Sequence, residues 1–351
     1  MRKLLLWTLL MCLMLVPGLG LLAQQDLVAM TVKAGFDGRF RENLWMPIQV
    51  NVTNNGDPIE GRLVVRPERS NALTNVFSTP VSLASGARQV IFLYASMNSF
   101  GSSLRVELFD ANGLTVTEVE VPVQSLLPKD SLYVVLSDAP NSGVDLTNAH
   151  VPEQQAAQVD WFVTDLPDVA AVLEPINAIV FSSVDSGTLT SPQRDALRAW
   201  VTQGGHLIVT GGGNWQPTAA GLGELLPLVP NTAVDVDNVG DVLRYAGDFQ
   251  SSAEGTARVA VGALVEGAQV LAATDEGVPL LVRHSLGAGT VDYLALDPAL
   301  QPLNTWVNLN DLWVTLFANP APRPSWGGGI LSTETADTAL SILPGVTSLP
   351  E

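Results

Sequence analysis

Two patterns of apolar and polar residues divide the chain. In its first third, short segments alternate apolar and polar residues with a period of two, at 28–33, 46–52, 61–66, 75–83, 89–95, 103–109 and 114–121. Such alternation turns one face of a strand toward a core and the other toward water. Turn-forming residues separate the segments, among them Asn54-Asn55-Gly56-Asp57-Pro58, Ser85-Gly86 and Asp110-Ala111-Asn112-Gly113. The last suits a hairpin. Strands at about ten-residue spacing without an amphipathic helix predict an all-β immunoglobulin-like sandwich over 26–127.

From residue 129 to 319 the pattern changes to continuous apolar runs that end in small or polar residues. They occupy 132–136, 159–163, 178–181 and 207–210. Runs of this kind suit parallel strands buried on both faces. Between the third and fourth lies a clear helix, with Ser191 read as N-cap, Pro192 in the first turn and Gly204-Gly205 as the stop. Shorter helices are read at 169–173 and 219–226, and a closing one at 306–317. Segments 257–261, 269–272, 279–284 and 290–295 read as an antiparallel extension. Strands joined by helices predict an α/β domain with an open, mostly parallel, doubly wound sheet.

Charge sharpens the boundary and narrows the function. Residues 24–128 carry 8 basic and 10 acidic side chains, whereas 129–320 carry 6 basic and 22 acidic, a net −16. The step falls at Pro128. A chain with formal charge −18 lacks the basic surface that a nucleic-acid backbone requires. Arg2 and Lys3 precede an uncharged run over 4–23 that is broken by Pro17, Gly18 and Gly20 and ends at Ala23. This is the order of a secretory signal occupying 1–25. The competing reading is an uncleaved anchor, since 20 apolar residues just span a bilayer. Either way the rest of the chain is expected outside the cytoplasm. The sole cysteine, Cys12, lies in that run, so a cleaved chain offers no disulfide, thiolate metal site or cysteine nucleophile. Residues 320–351 are rich in Pro, Gly, Ser and Thr and read as a flexible tail. They are expected to lead to membrane segments in a longer chain, or to tether the protein to a partner.

A resemblance follows from two stretches. Leu197-Arg-Ala-Trp-Val-Thr-Gln-Gly-Gly205-His-Leu-Ile-Val-Thr-Gly211-Gly-Gly resembles the helix, glycine turn and strand of class I glutamine-amidotransferase-like domains, and Val282-Arg-His-Ser-Leu-Gly-Ala-Gly289-Thr-Val-Asp-Tyr continues it. The likeness is to a bacterial envelope branch in which such a domain follows a β-sandwich and precedes membrane segments. Catalytic relatives place a cysteine on the bend after the strand that here is 207–210. This chain has Gly211, Gly212 and Gly213 there, and no His-x-Glu pair follows. The resemblance therefore implies a degenerate nucleophile elbow and no amidotransferase chemistry, which needs a thiolate.

Ligands of open α/β sheets sit beyond the carboxyl ends of the strands. That rim is expected to hold Asp138, Asp165, Asp185, Asn214, Trp215 and Asp297 as ligand-binding candidates. The plainer reading is that Asp and Asn cap turns at such positions. Asp235-Val-Asp237-Asn-Val-Gly240-Asp241 matches a calcium loop at three positions but has Val239 and Ala246 where ligands are needed. His206 and His284 lack a second histidine at ligand spacing, so no metal and no cofactor are expected. Arg62, Arg66 and Arg69 form a candidate anion site or a solvated strand face. The aromatic-rich segment 35–47 offers Trp45 as a sugar platform or a core plug. The expected function is a non-catalytic, exported envelope protein that binds or scaffolds near the membrane, with an envelope protein or membrane-complex subunit as partner. A glycan is the other candidate ligand. The alternative is an exported hydrolase or carbohydrate-binding enzyme using the acidic rim.

Overall fold

The computed structural model describes residues 27–67, 75–97, 102–138, 144–150, 154–251, 255–318 and 347–350. The export signal at 1–25, Arg69 and all but the last few residues of the 320–351 tail lie outside the described residues.

Nine strands build the first unit: β1 (Val28–Ala34), β2 (Arg39–Phe40), β3 (Trp45–Asn54), β4 (Ile59–Pro67), β5 (Asn75–Leu83), β6 (Arg88–Ser96), β7 (Ser103–Asp110), β8 (Thr115–Pro122) and β9 (Gln124–Ser125). The second contains β10 (Ser131–Leu136), β11 (Ala156–Trp161), α1 (Ala170–Leu173), β12 (Ala178–Phe181), α2 (Ser191–Thr202), β13 (His206–Thr210), α3 (Trp215–Ala220), β14 (Leu228–Val236), α4 (Gly240–Tyr245), β15 (Ala257–Leu264), β16 (Gln269–Ala273), β17 (Pro279–Leu286), β18 (Gly289–Leu294) and α5 (Leu309–Ala318). A last strand, β19 (Thr347–Pro350), pairs antiparallel with β5.

The sheets are β1-β3-β6, β19-β5-β4-β7-β8, the parallel pair β2-β9, the ribbon β14-β15, and a seven-stranded sheet ordered β11-β10-β12-β13-β18-β17-β16. Strands make up 45% of the structure and helices 19%. This corrects the expected fold class. The chain is mostly β with several sheets, and it is not an immunoglobulin-like sandwich followed by a doubly wound, open α/β domain. The physical reason lies in the connections. Among the described residues no helix joins β10 to β11, and the path from β11 to β12 carries only a 3₁₀ turn at Val163–Asp165 and the four-residue α1. Between β13 and β18 the chain makes an antiparallel ribbon and two strands that extend the sheet antiparallel. Apolar runs identify buried strands but do not say what covers them. Here, α2 apart, the helices that touch the sheet are short, and a β ribbon and long loops stand in place of regular helical crossovers.

Local rules explain the individual elements. In β3 the core takes Met46, Ile48, Val50 and Val52, while Gln49, Asn51 and Thr53 face outward. β12 and β13 are buried along their whole length, each enclosed aliphatic side chain contributing ~1.5–3 kcal/mol. The N-cap of α2 is Thr190, one residue before the expected Ser191. Thr190 accepts a bond from Gln193 N, and the Gln193 side chain accepts one from Thr190 N at 2.9 Å, a reciprocal capping box. Its inner face buries Ala196, Leu197, Trp200 and Val201. Gly204, at φ +114°, ends it. The helix read at 219–226 lies instead at Trp215–Ala220. Among the described residues, no helix is long and apolar enough to cross a membrane.

The two units meet across a packed junction. Phe36 is stacked on Trp161 with ring centroids 5.9 Å apart. Tyr94 donates to Asp168 at 2.8 Å. Arg41, from the loop between β2 and β3, donates to Asp130 O (2.6 Å), Asn177 Oδ1 (2.8 Å) and Pro175 O (2.9 Å). Partial burial lowers the pKa of this guanidinium, and Asp130 opposes that shift.

Candidate functional site

The rim beyond β10, β12, β13 and β18 gathers Asp138, Asp185 and Asp297. Asp138 Oδ2 accepts the backbone N–H of Asp185 at 2.8 Å. Asp185 Oδ1 accepts from Gly187 N at 3.0 Å and caps the 3₁₀ turn Ser186–Thr188. Asp297 Oδ1 accepts from Ala299 N at 2.8 Å, and its Oδ2 accepts from Ser183 Oγ at 3.2 Å. Ser183 itself is held at φ +49°. Asn214 and Trp215 stand at the next turn, where Asn214 O accepts from Thr218 Oγ1 and Trp215 starts α3 with its ring half-buried against the core. Asp185 and Asp297 each cap their own turn, whereas Asp138 reaches across to the Asp185 backbone. Among the described residues no three His, Cys, Asp or Glu side chains are grouped to hold a metal ion.

The glycine bend between strand and rim is filled by its neighbours. A Cβ added at Gly211 would lie 2.7 Å from Tyr293 Oη and 3.0 Å from the Ala295 backbone. At Gly212, φ +82°, it would lie 2.8 Å from Asp297 Cβ. Gly213 faces open space. Tyr293 Oη is buried and meets no hydrogen-bond partner among the described residues, and burial pushes its pKa well above the ordinary phenol value. Gly211→Ala is expected to cost about 1–3 kcal/mol through overpacking. Urea unfolding checks this, and an unchanged midpoint would show that the bend yields.

Asp165 does not join this rim. It closes the turn after β11, accepting from Phe162 N at 3.1 Å and from Gln49 Nε2 of the first unit at 3.3 Å. It lines a cleft of ≈ 280 Å³ between the units, together with Lys33, Asp37, Phe92, Asp160 and Trp161. Asp37 sits at φ +51° between Gly35 and Gly38, both also left-handed. Desolvation raises its pKa, and Asp160 adds to the shift while Lys33 and Arg39 oppose it.

The remaining sequence candidates have structural partners. Asp235 binds Arg258 from β14, Asp237 accepts from Thr256, and Asp241 in α4 accepts from Ala273 N. The supposed calcium loop is thus part strand and part helix. Arg66 pairs with Glu107 at 2.8 Å, while Arg62 is exposed. Trp45 is half-buried, edge-on to Phe77. His284 is half-buried, with Nδ1 unbonded among the described residues.

His206 belongs to a buried ionic cluster that sequence reasoning missed. Its Nε2 lies 2.8 Å from Asp292 Oδ2, while Arg283 reaches both Asp292 oxygens at 2.7 Å and Leu316 O at 3.3 Å. Asp292 is fully buried. Burial opposes its ionisation, but the bonds from Arg283 and His206 prevail and hold the carboxyl below its usual range. A hairpin signal was present. Leu286 pairs with Gly289 across the turn, so counting three residues outward on each strand pairs Arg283 with Asp292. No local signal marked Arg41, whose partners lie 86 to 136 residues away.

The family profile described as Domain of unknown function (DUF8726) matches residues 27–124, and Domain of unknown function (DUF7408) matches 156–299. No curated protein matches the chain. Solved structures with local likeness include exo-beta-1,4-mannosidase Op5Man5 from Opitutaceae bacterium strain TAV5, at 17% identity and TM-score 0.32 over 54% of this chain and 35% of that one. A putative beta-galactosidase from Bacteroides fragilis shares 13% identity at TM-score 0.22, over 53% of this chain and 39% of that one. The CARDB domain of a Pyrococcus furiosus protein, solved in complex with di-metal ions, shares 13% identity at TM-score 0.22, over 28% of this chain and 87% of that one. The chain spans about a third of the mannosidase. At these scores no functional argument rests on the likenesses.

Proposed function

We propose that this protein is an exported, non-catalytic envelope protein that acts by binding. The observation that carries the reading is the state of the strand-end rim. Asp185 and Asp297 cap their own turns, Asp138 holds the Asp185 backbone, and the bend at Gly211 and Gly212 is packed against Tyr293, Ala295 and Asp297. A general acid, base or nucleophile must present an atom within hydrogen-bond reach of a substrate, and the glycine bend carries no side chain that could do so. The charged run, apolar stretch and small-residue end at 1–25 support export.

Purified protein is expected to release no ammonia from glutamine and to show no thermal shift with Ca²⁺, Mg²⁺ or Mn²⁺. Turnover above a protein-free control would overturn the reading. So would a metal-dependent stabilisation abolished by Asp185→Ala, which would favour the acidic-rim hydrolase. N-terminal sequencing of the extracytoplasmic fraction tests export; an intact Met1 in the soluble cytosol would defeat it.

A further inference from the structure

The sheet β1-β3-β6 turns an unusual face outward. Its register sets Lys33, Gln49 and Phe92 in one cross-strand row and Thr31, Asn51 and Val90 in the next. From the first row onward the second unit meets the sheet, with Gln49 bound to Asp165 and Tyr94 to Asp168. On the other side the face is open, and Val90 and Phe92 are 54% and 42% exposed. The cleft lies at the edge between the covered and open parts. Asp160 and Asp165 stand on the wall contributed by the second unit, and Asp37 stands on the first. Lys33 is the one cationic side chain in the lining.

We propose that this open sheet face and cleft dock a basic, extended segment of a partner protein, an apolar residue resting on Phe92 and Val90 while a lysine or arginine enters among Asp37, Asp160 and Asp165. The inference rests on the binding reading above and deepens it. Charge complementarity identifies the occupant. Three carboxylates face one ammonium, and no hydrogen bond from a described residue satisfies Asp37. Long cationic side chains lay their methylene stems on apolar surface and keep their charged ends among carboxylates. The cleft, at ≈ 280 Å³, lies at or below the low end of the roughly 300–1,000 Å³ that enclose a whole small molecule. It suits one or two side chains reaching in from a segment that continues outside. A second copy is the wrong occupant, because two chains of charge −18 repel. This chain's own sequence offers no basic run other than Arg2-Lys3.

The test uses the exported chain and a fluorescent octapeptide of alternating lysine and valine, read by anisotropy. The peptide is expected to bind at 20 mM salt and to weaken at least tenfold at 200 mM. Asp160→Asn with Asp165→Asn, and separately Phe92→Gln, are each expected to weaken it at least tenfold without moving the melting temperature. Asp275→Asn with Glu276→Gln, an acidic pair outside the cleft, should change the affinity less than twofold. Equal losses in the cleft and control variants would overturn the proposal by showing diffuse charge attraction. Equal binding of the glutamate–valine octapeptide, or binding of a neutral oligosaccharide mixture in place of the lysine peptide, would overturn it as well. Ammonia release is scored separately, so the binding reading and the docking site fail by different results.

Discussion

Asp292→Asn is expected to destabilise the protein by about 3–5 kcal/mol, because it removes the carboxylate that forks with the largely buried Arg283. An unpaired guanidinium away from water costs more than the pair gained, and the second unit should lose roughly 10 °C in its thermal transition. His206→Gln, which removes one bond and leaves the Arg283–Asp292 fork, should cost about 1–2 kcal/mol. Arg283→Met with Asp292→Leu should recover much of the loss, since an apolar pair of similar volume removes the stranded charge. The penalty is also pH-dependent. The Asp292 carboxyl is held below its unfolded value of ~3.9, so its stabilisation is fully present above about pH 4 and fades as pH falls through the lower folded value. The gap between wild type and Asp292→Asn should therefore narrow in acid. Chemical denaturation between pH 3 and 7 measures it, and a loss under about 1 kcal/mol at pH 7 would show that water or relaxation satisfies Arg283.

Arg41→Ala is expected to cost about 2–4 kcal/mol and to act on the junction between the units. Hydrogen bonds to a charged donor are worth about 1.5–3 kcal/mol each when a partner is lost, though such values do not add. Four acceptors, Asp130 O, Asn177 Oδ1, Pro175 O and the more distant Leu127 O, lose this donor together. Arg41→Lys should restore only part of the stability, because a single ammonium does not reproduce the planar guanidinium fork. Limited proteolysis near Leu127, which is 56% exposed, should quicken in Arg41→Ala. Unchanged cleavage together with an unchanged denaturation midpoint would mean that the Phe36–Trp161 stack and the Tyr94–Asp168 bond hold the junction without it.

Much of the local structure was legible in the residues. The segment 75–83, with its loose alternation and flanking polar residues, marked β5 with its observed bounds. The turn Asp110–Gly113 follows from an Asp that accepts from Asn112 N and Leu114 N and a glycine at φ +80°. A capping pair and Gly204 bracket α2. These features obey forces that act within a few residues: pleat periodicity, side-chain-to-backbone bonds and the missing Cβ. The fold class was misread because an apolar run says that a strand is buried without saying whether a helix, a ribbon or a loop buries it. The candidate rim was read as one group for a related reason. Asp138, Asp185 and Asp297 do come together, whereas Asp165 turns to Gln49, 116 residues away. Arg41 with its acceptors, and the cleft between the units, exist only because chain folding brings together residues that no local pattern relates. Local chemistry was thus determined by the sequence as read. The choice of which charges meet, and which of them stay open to a partner, was made by long-range packing.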